Sequence, residues 1–359
     1  MSPSRGEDSQ ERETSRRPTM KDVARQAGVS LSTVSYVVND SGPVAGARRA
    51  RVLDAVRLLG YTPNESARRL RNKSTATIGL IVPDLSNQFF ALVAEGVEQA
   101  AAEQEALVVL CAPEAIDRPT QYYARLLRSQ RLDGLIYLPG GEGMTLSLAL
   151  ELAEAGPVVM VDERIRGFEV PSVVADSRGG ARAAAEHVLA LGHTRVAIIG
   201  GPEALWTSEQ RMFGFQEALA GYKVPLHSVT VRVGDHRIDS GASIASELLQ
   251  GPASARPTAF ICANDLMALG VLKHCRALGL AVPGDVSIVG FDDIPIAELV
   301  TPGLTTVSQP ARTMGQLAAD TLFRLLDGGE CADVSSPLPT TLVVRDSVAA
   351  PDTCATRTH

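Results

Sequence analysis

Five polar residues stand where an α/β protein binds small molecules. In an open α/β sheet, ligands sit outside the carboxyl ends of the strands. Asp162 follows the apolar run "PVVMV", Asn264 and Asp265 follow "FICA", and Asp292 and Asp293 follow "SIVGF". A carboxylate in such a place accepts two vicinal hydroxyls, and the forked donors of Arg211, in "SEQRMFGF", complement it. Together these residues describe a polyol-binding cleft. Each also has a plainer reading: the same positions precede a helix or turn, where Asp or Asn serves as an N-cap, and Arg211 would be a solvated helix charge. Catalysis finds no footing. There is no nucleophile elbow or Walker loop, and Gly200-Gly201 lacks the third glycine of a dinucleotide fingerprint. His187 and His193 lie six apart and His274-Cys275 are adjacent, neither a metal-ligand spacing. Cys111, Cys262, Cys275, Cys331 and Cys354 are odd in number with no C-x-x-C pair, so neither a disulfide framework nor a zinc site is expected. No metal, cofactor or enzymatic activity is expected.

The strand-end residues need strands. From Thr75 onward short apolar runs at 77–82, 107–111, 134–138 and 157–161 alternate with helical stretches near 89–104, 117–130 and 144–155. A second set follows: runs at 196–200, 229–233, 258–262 and 286–289, with helices near 179–191, 207–221, 239–249 and 266–278. Such alternation implies parallel sheets covered on both faces, here two doubly wound subdomains.

Ahead of them lies a different kind of segment. Thr19 with Asp22 three residues on forms a capping signal, and Val23, Ala24 and Ala27 make an apolar stripe that stops at Gly28. Ser30 caps a second helix, Leu31 to Asn39, with Val34, Val37 and Val38 inward and Leu31, Ser32, Thr33, Ser35, Tyr36 and Asn39 outward. Arg48 to Leu59 gives a third helix, with Val52, Val56 and Leu59 on its apolar face. Two short helices joined by a glycine-containing turn form a helix-turn-helix, whose second helix suits the major groove. Charge agrees: residues 1–76 hold 14 Lys and Arg against 8 Asp and Glu, a net +6, whereas the remainder holds 20 against 33, a net −13. A basic head on an acidic body fits nucleic-acid contact at one end of the chain. Between them, Pro63 interrupts the helix, and Glu65 to Leu70 is a short hinge rich in small and basic residues.

The stretches "MKDVARQAGVSLSTVSYVVND" and "RVLDAVRLLGYTPNESARRL" resemble the DNA-binding end of the lactose/purine repressor (LacI/GalR) family. The resemblance continues through "IGLIVPDLSNQFF", "ALGHTRVAIIGGP", "RMFGF", "FICANDLMALG" and "DVSIVGFDDIP", covering roughly residues 18 to 346. It implies a homodimeric bacterial transcriptional regulator, a repressor. Its heads would bind a near-palindromic operator in double-stranded DNA, and its periplasmic-binding-protein-like body would bind a small metabolite between two subdomains.

By this resemblance the domains are an arm at 1–18, a helix-turn-helix at 19–63, a hinge helix at 64–74, a body at 75–346 and a tail at 347–359. The body divides into an N-subdomain, about 75–175 and 307–334, and a C-subdomain, about 176–306 and 335–346. The DNA-contacting set is Thr19, Leu31, Ser32, Thr33, Ser35, Tyr36, Asn39, Arg49, Asn64, Ala67, Arg68 and Leu70, with Leu70 a minor-groove wedge. The effector-contacting set is Phe89, Phe90, Asp162, Arg211, His236, Asn264 and Asp292. Two departures bear on the effector. His236 stands where relatives often carry a stacking aromatic, and Leu205-Trp206 occupy a loop where purine binders place polar contacts. A sugar or sugar derivative is therefore expected ahead of a purine, with a nucleoside-responsive regulator as the alternative, and His236 with Arg237 could instead meet a phosphate. A sugar-binding transport protein shares the body's fold, but it would carry an export signal and no DNA head. The polar N-terminus and lack of a long apolar run point to a cytoplasmic, nucleoid-associated protein with no membrane partner.

Overall fold

The computed structural model describes residues 18–38, 42, 44–59, 76–111, 121–140, 146–167, 170–225, 229–329 and 336–351. The chain divides into two compact units, Met1–Thr75 and Ala76–His359.

In the first unit, three helices surround a small apolar core: α1 (Met20–Ala27), α2 (Leu31–Val38) and α3 (Gly46–Leu59). The Asp22 carboxylate accepts from both the N–H and the hydroxyl of Thr19, and this tie starts α1. Gly28 ends it at φ +63, a left-handed conformation that glycine adopts without penalty, with Val29 N–H returning to the Ala24 carbonyl. Ser30 Oγ accepts from Thr33 N–H and so caps α2. Val23, Ala27, Val34, Val37, Val52 and Ala55 form the core, each fully buried valine contributing about 1.5–3 kcal/mol. Helix α3 begins two residues before the expected Arg48, and Ala55 joins Val52 as its buried contact, while Val56 and Leu59 are only half-buried.

The second unit contains two parallel sheets in doubly wound order. The first comprises β1 (Thr77–Ile81), β2 (Leu107–Cys111), β3 (Gly134–Tyr137), β4 (Val158–Val161) and β5 (Ser172–Val173), ordered β2-β1-β3-β4-β5. Its helices are α4 (Gln88–Glu103), α5 (Gln121–Arg128) and α6 (Leu146–Ala155). The second sheet comprises β6 (Val196–Gly200), β7 (Thr230–Val233), β8 (Ala259–Cys262) and β9 (Ser287–Val289), ordered β7-β6-β8-β9. Helices α7 (Ser177–Ala190), α8 (Trp206–Gly221), α9 (Ile238–Leu249) and α10 (Asp265–Ala277) cover it. Strands β1, β3, β4, β6 and β8 are buried along their whole length, because helices lie on both faces: Ile198 and Ile261 meet α7 and α8, while Ile199 and Cys262 meet α9 and α10.

Five elements have no counterpart in the sequence reading: β5, α11 (Pro295–Leu299), β10 (Thr306–Ser308), α12 (Ala311–Leu326) and β11 (Thr341–Val343). Helix α12 packs on α4 through two glycines. A Cβ on Gly96 would lie 2.0 Å from the Arg312 carbonyl oxygen, and one on Gly315 would lie 2.1 Å from that of Val93. The chain passes between the two lobes after β5, after β10, and near Leu338, which bridges to Ala175. Because β10 still follows β9, with Thr305 bridging Val289, the second passage falls at Gln309-Pro310 rather than at 307. β11 then pairs antiparallel with β10. Residues 347–349, expected to begin a tail, instead bond along β9: Ile288 N–H donates to the Ser347 carbonyl and Ala349 N–H to Ser287 Oγ.

Candidate functional site

The carboxyl ends of the two sheets face one another across a cavity of about 70 Å³. The loops after β1, β3 and β4 and the first turn of α4 supply Asn87, Phe89, Phe90, Pro139, Asp162 and Glu163 from one lobe. The other lobe supplies Leu205, Thr207, Arg211, Asp235, His236, Arg237, Asn264 and Asp292. All seven predicted effector residues therefore line one cavity.

Arg211 is its centre. One turn into α8 and buried, it donates from Nη1 to the Ala263 carbonyl at 2.6 Å, lies with Nη2 3.7 Å from Asp292 Oδ1, and stacks its guanidinium 4.0 Å above the Phe291 ring. Asp292 accepts from Gln309 Nε2 at 2.8 Å. Burial pushes the Asp292 carboxyl up to about 7, against the attraction of Arg211. Burial, and next the charge of Asp162, push Glu163 up to about 8 while Thr207 N–H and hydroxyl bind its two oxygens. Asp162 is likewise raised by burial, opposed by Arg211. Burial and then Arg211 hold His236 neutral, its pKa lowered to about 3. Asp162, His236 and Asp292 have φ of +69°, +67° and +114°, backbone states that non-glycine residues rarely adopt and that cluster at binding sites.

Polar atoms here are buried without protein partners. Asp162 Oδ1, Ser208 Oγ, Arg211 Nε, His236 Nε2 and Gln309 Oε1 have no hydrogen-bond partner among the described residues. Leaving such a group unsatisfied costs about 1–3 kcal/mol, so each of these atoms calls for a water or a polar ligand. Gly201 makes room for two of them: a Cβ there would lie 2.1 Å from His236 Nε2 and 2.5 Å from Ser208 Oγ.

Other strand-end residues resolve into structural roles. Asn264 is the N-cap of α10, accepting from Met267 N–H, and it also donates to the His236 carbonyl. Asp265 is wholly buried, accepting from Ile294 N–H and the Thr306 hydroxyl, and Asp293 pairs with Arg345. Phe89 is divided between the cavity wall and the core. Glu163 and Gln309 were not expected. Glu163 directly follows Asp162 and was legible by the same strand-end rule; Gln309 follows a three-residue strand that has no readable period.

In the first unit, Leu31 and Tyr36 are 45% and 49% exposed on α2, beside exposed Ser32 and half-buried Thr33 and Ser35. The Ser32 and Thr33 hydroxyls both meet Ser30 Oγ at 2.8 Å. The Tyr36 ring lies against Gly42, where a Cβ would come within 2.9 Å of it. Thr19 starts α1, and Arg49 lies half-buried on α3. Asn39, Asn64, Ala67, Arg68 and Leu70, with the hinge helix, lie outside the described residues.

Among the described residues, no group of His, Cys, Asp and Glu could hold a metal, and no helix is long and apolar enough to cross a membrane. Residues 19–64 match the model of the lacI family of bacterial regulatory proteins, and residues 185–348 match a periplasmic binding protein-like domain. The chain is 34% identical over 333 residues to the HTH-type transcriptional regulator DegA of Bacillus subtilis (strain 168), covering 92% of this chain and 98% of that protein. It is 33% identical over 330 residues, with the same coverage, to the HTH-type transcriptional repressor PurR of Vibrio parahaemolyticus. Among solved structures it is similar to the Lac repressor dimer bound to operator and the anti-inducer ONPF, with TM-score 0.78 and 29% identity over 93% of this chain and all of that one. It is also similar to the CelR–cellobiose complex, with TM-score 0.64 and 32% identity over 92% of this chain and all of that one. These relatives are DNA-binding regulators and not enzymes. A helix-turn-helix head, two doubly wound lobes and the matched models together place the chain in the lacI family of bacterial transcriptional regulators.

Proposed function

We propose that this repressor binds a near-palindromic operator as a homodimer and that a neutral sugar, held between its two lobes, alters its operator affinity. In this reading the head spans 19–63, the hinge 64–74 and the body 75–349; Leu31, Ser32 and Tyr36 read bases. The observation that supports the sugar is the set of buried polar atoms around Arg211, Asp162 and His236 that have no partner among the described residues. Three of the carboxyls there, Asp162, Glu163 and Asp292, have raised pKa values. Near neutral pH the Asp292 and Glu163 carboxyls both donate and accept, which suits hydroxyl groups. Solved relatives carry cellobiose and ribose. Exposed Leu107 and Val109, on one face of edge strand β2, supply an apolar patch for a second copy.

A purine is the second reading, favoured by the PurR relatives. Against it, Leu205 at the cavity wall offers no polar contact to a base. A thermal-shift screen with sugars, sugar phosphates, nucleobases and nucleosides separates the two. A ligand at 100 times its dissociation constant stabilises the body by about 2.7 kcal/mol. Stabilisation by purines alone would overturn the sugar assignment.

A further inference from the structure

Pro139, Glu163 and Leu205 line both the inner cavity and a neighbouring second cleft of about 830 Å³. Pockets that enclose a whole small molecule measure about 300–1,000 Å³. The inner cavity falls well short of that range and the outer cleft lies within it. The outer walls differ in chemistry. Helix α8 contributes Trp206, Met212 and Phe213, and edge strand β7 contributes Val231 and Val233. Arg164, from the loop after β4, lies 5.5 Å from the centre of the Trp206 ring and holds the indole from one side. Phe213 is 40% exposed. Charges in the outer cleft offset one another: Arg164 and Arg166 face Glu163, Glu203 and Glu209, and Arg166 is already paired with Glu209. Ser208 Oγ is buried at this cleft with no partner among the described residues.

We propose that the effector is a neutral saccharide of at least two rings, one held by Asp162, Arg211 and Asp292 in the inner cavity and the next stacked on Trp206 in the outer cleft. The inner groups read hydroxyls, which every sugar ring carries. The outer cleft presents an indole and aliphatic side chains, which match the apolar C–H face of a ring, with the Ser208 hydroxyl beside them for a bridging or ring oxygen. A monosaccharide would leave the Trp206 surface in water. A phosphate would meet an Arg211 already engaged by the Ala263 carbonyl and Asp292, and an outer cleft whose arginines are offset. The inference rests on the sugar reading above and specifies its size and charge.

Trp206 is the single tryptophan of the chain, so its fluorescence reports on the outer cleft of the full-length protein. Glucose, galactose and ribose are to be titrated beside cellobiose, maltose, lactose, sucrose and trehalose, with adenine and hypoxanthine as a separate arm, following both tryptophan emission and thermal shift. At least one disaccharide should bind roughly tenfold or more tightly than its component monosaccharides and change Trp206 emission, because a stacked aromatic contributes about 1.4 kcal/mol or more, a factor of ten. Trp206→Ala should erase that advantage while leaving monosaccharide affinity and operator binding in place, and Trp206→Phe should keep most of it. Equal affinity for monosaccharide and disaccharide, or an advantage that survives Trp206→Ala, overturns the two-ring inference and leaves the sugar reading standing. Binding of the bases with no response to any saccharide, or no binding by any saccharide in the panel, overturns both.

Discussion

Arg211→Ala tests the site at its centre. The guanidinium makes three contacts in the buried interior: a 2.6 Å bond to the Ala263 carbonyl, a 3.7 Å approach to Asp292 and a stack on Phe291. A hydrogen bond from a charged donor is worth about 1.5–3 kcal/mol, and a desolvated cation–π contact about 2 kcal/mol. Removing one member of a buried ion pair costs about 3–5 kcal/mol when the partner stays charged. Here the partner can escape by protonation, since Asp292 already titrates at about 7. We therefore expect a loss of about 2–4 kcal/mol at pH 8 and a smaller one at pH 6, where the carboxyl is neutral. Urea unfolding at the two pH values measures this, and the m-value checks that the unfolding transition keeps its form. Ligand-induced change in operator binding should vanish, while operator binding without ligand survives because the head is a separate unit. A penalty independent of pH, or a wild-type ligand response, would refute Arg211 as the counter-charge of this cavity.

Protonation gives a second prediction for the unliganded protein. Asp292 and Glu163 have folded pKa values of about 7 and 8 against ordinary values of 3.8 and 4.5. The stability they gain by protonation is full at low pH and is lost as pH rises through 7 and 8. His236 works oppositely: its pKa falls from 6.5 to about 3, so it lowers stability only as pH drops below 6.5. Between pH 6.5 and 8 the carboxyl trend acts alone, and stability should fall with rising pH; Asp292→Asn with Glu163→Gln should flatten that fall in thermal melts. Gly201→Ala should cost about 1–3 kcal/mol by overpacking, because its Cβ would meet His236 and Ser208. It should also abolish thermal stabilisation by saccharide; full stabilisation would place the ligand elsewhere. Leu31→Ala or Ser32→Ala should cost about 1–3 kcal/mol on the preferred operator and shift which sequences bind. An equal loss on all sequences in a competition assay would reduce them to phosphate or packing contacts.

The long strands and their helices were legible because burial on both faces turns a strand into an unbroken apolar run, as in "VAIIG" and "AFIC". Where an element is two or three residues long, as in β5, β10 and β11, no period exists to read. Helix α12 escaped for a different reason. Its buried face includes Ala311, Gly315, Ala318 and Ala319, small because α4 approaches closely, and small residues carry a weak hydrophobic signal. The cavity was legible through the carboxyl-end rule, which brought Asp162, Asn264 and Asp292 together. That rule could not separate Asn264, which lines the cavity and caps α10, from Asp265, which ties α10 to Thr306 and Ile294. Nor could it find Gln309, whose place depends on an unrecognised strand and on the chain crossing between lobes.

If a saccharide regulates this repressor, operator binding and saccharide binding must be coupled in one chain. Full-length protein should be used to select from a random DNA library, and its affinity for the enriched sequence measured by fluorescence anisotropy with and without the saccharide that most raises the melting temperature. A near-palindromic sequence should emerge, and its affinity should change by about 5–150-fold, the usual range of coupling between two sites. Arg211→Ala should show no change. Enrichment of no sequence, or an operator affinity unmoved by a saccharide that demonstrably occupies the cleft, would contradict that coupling.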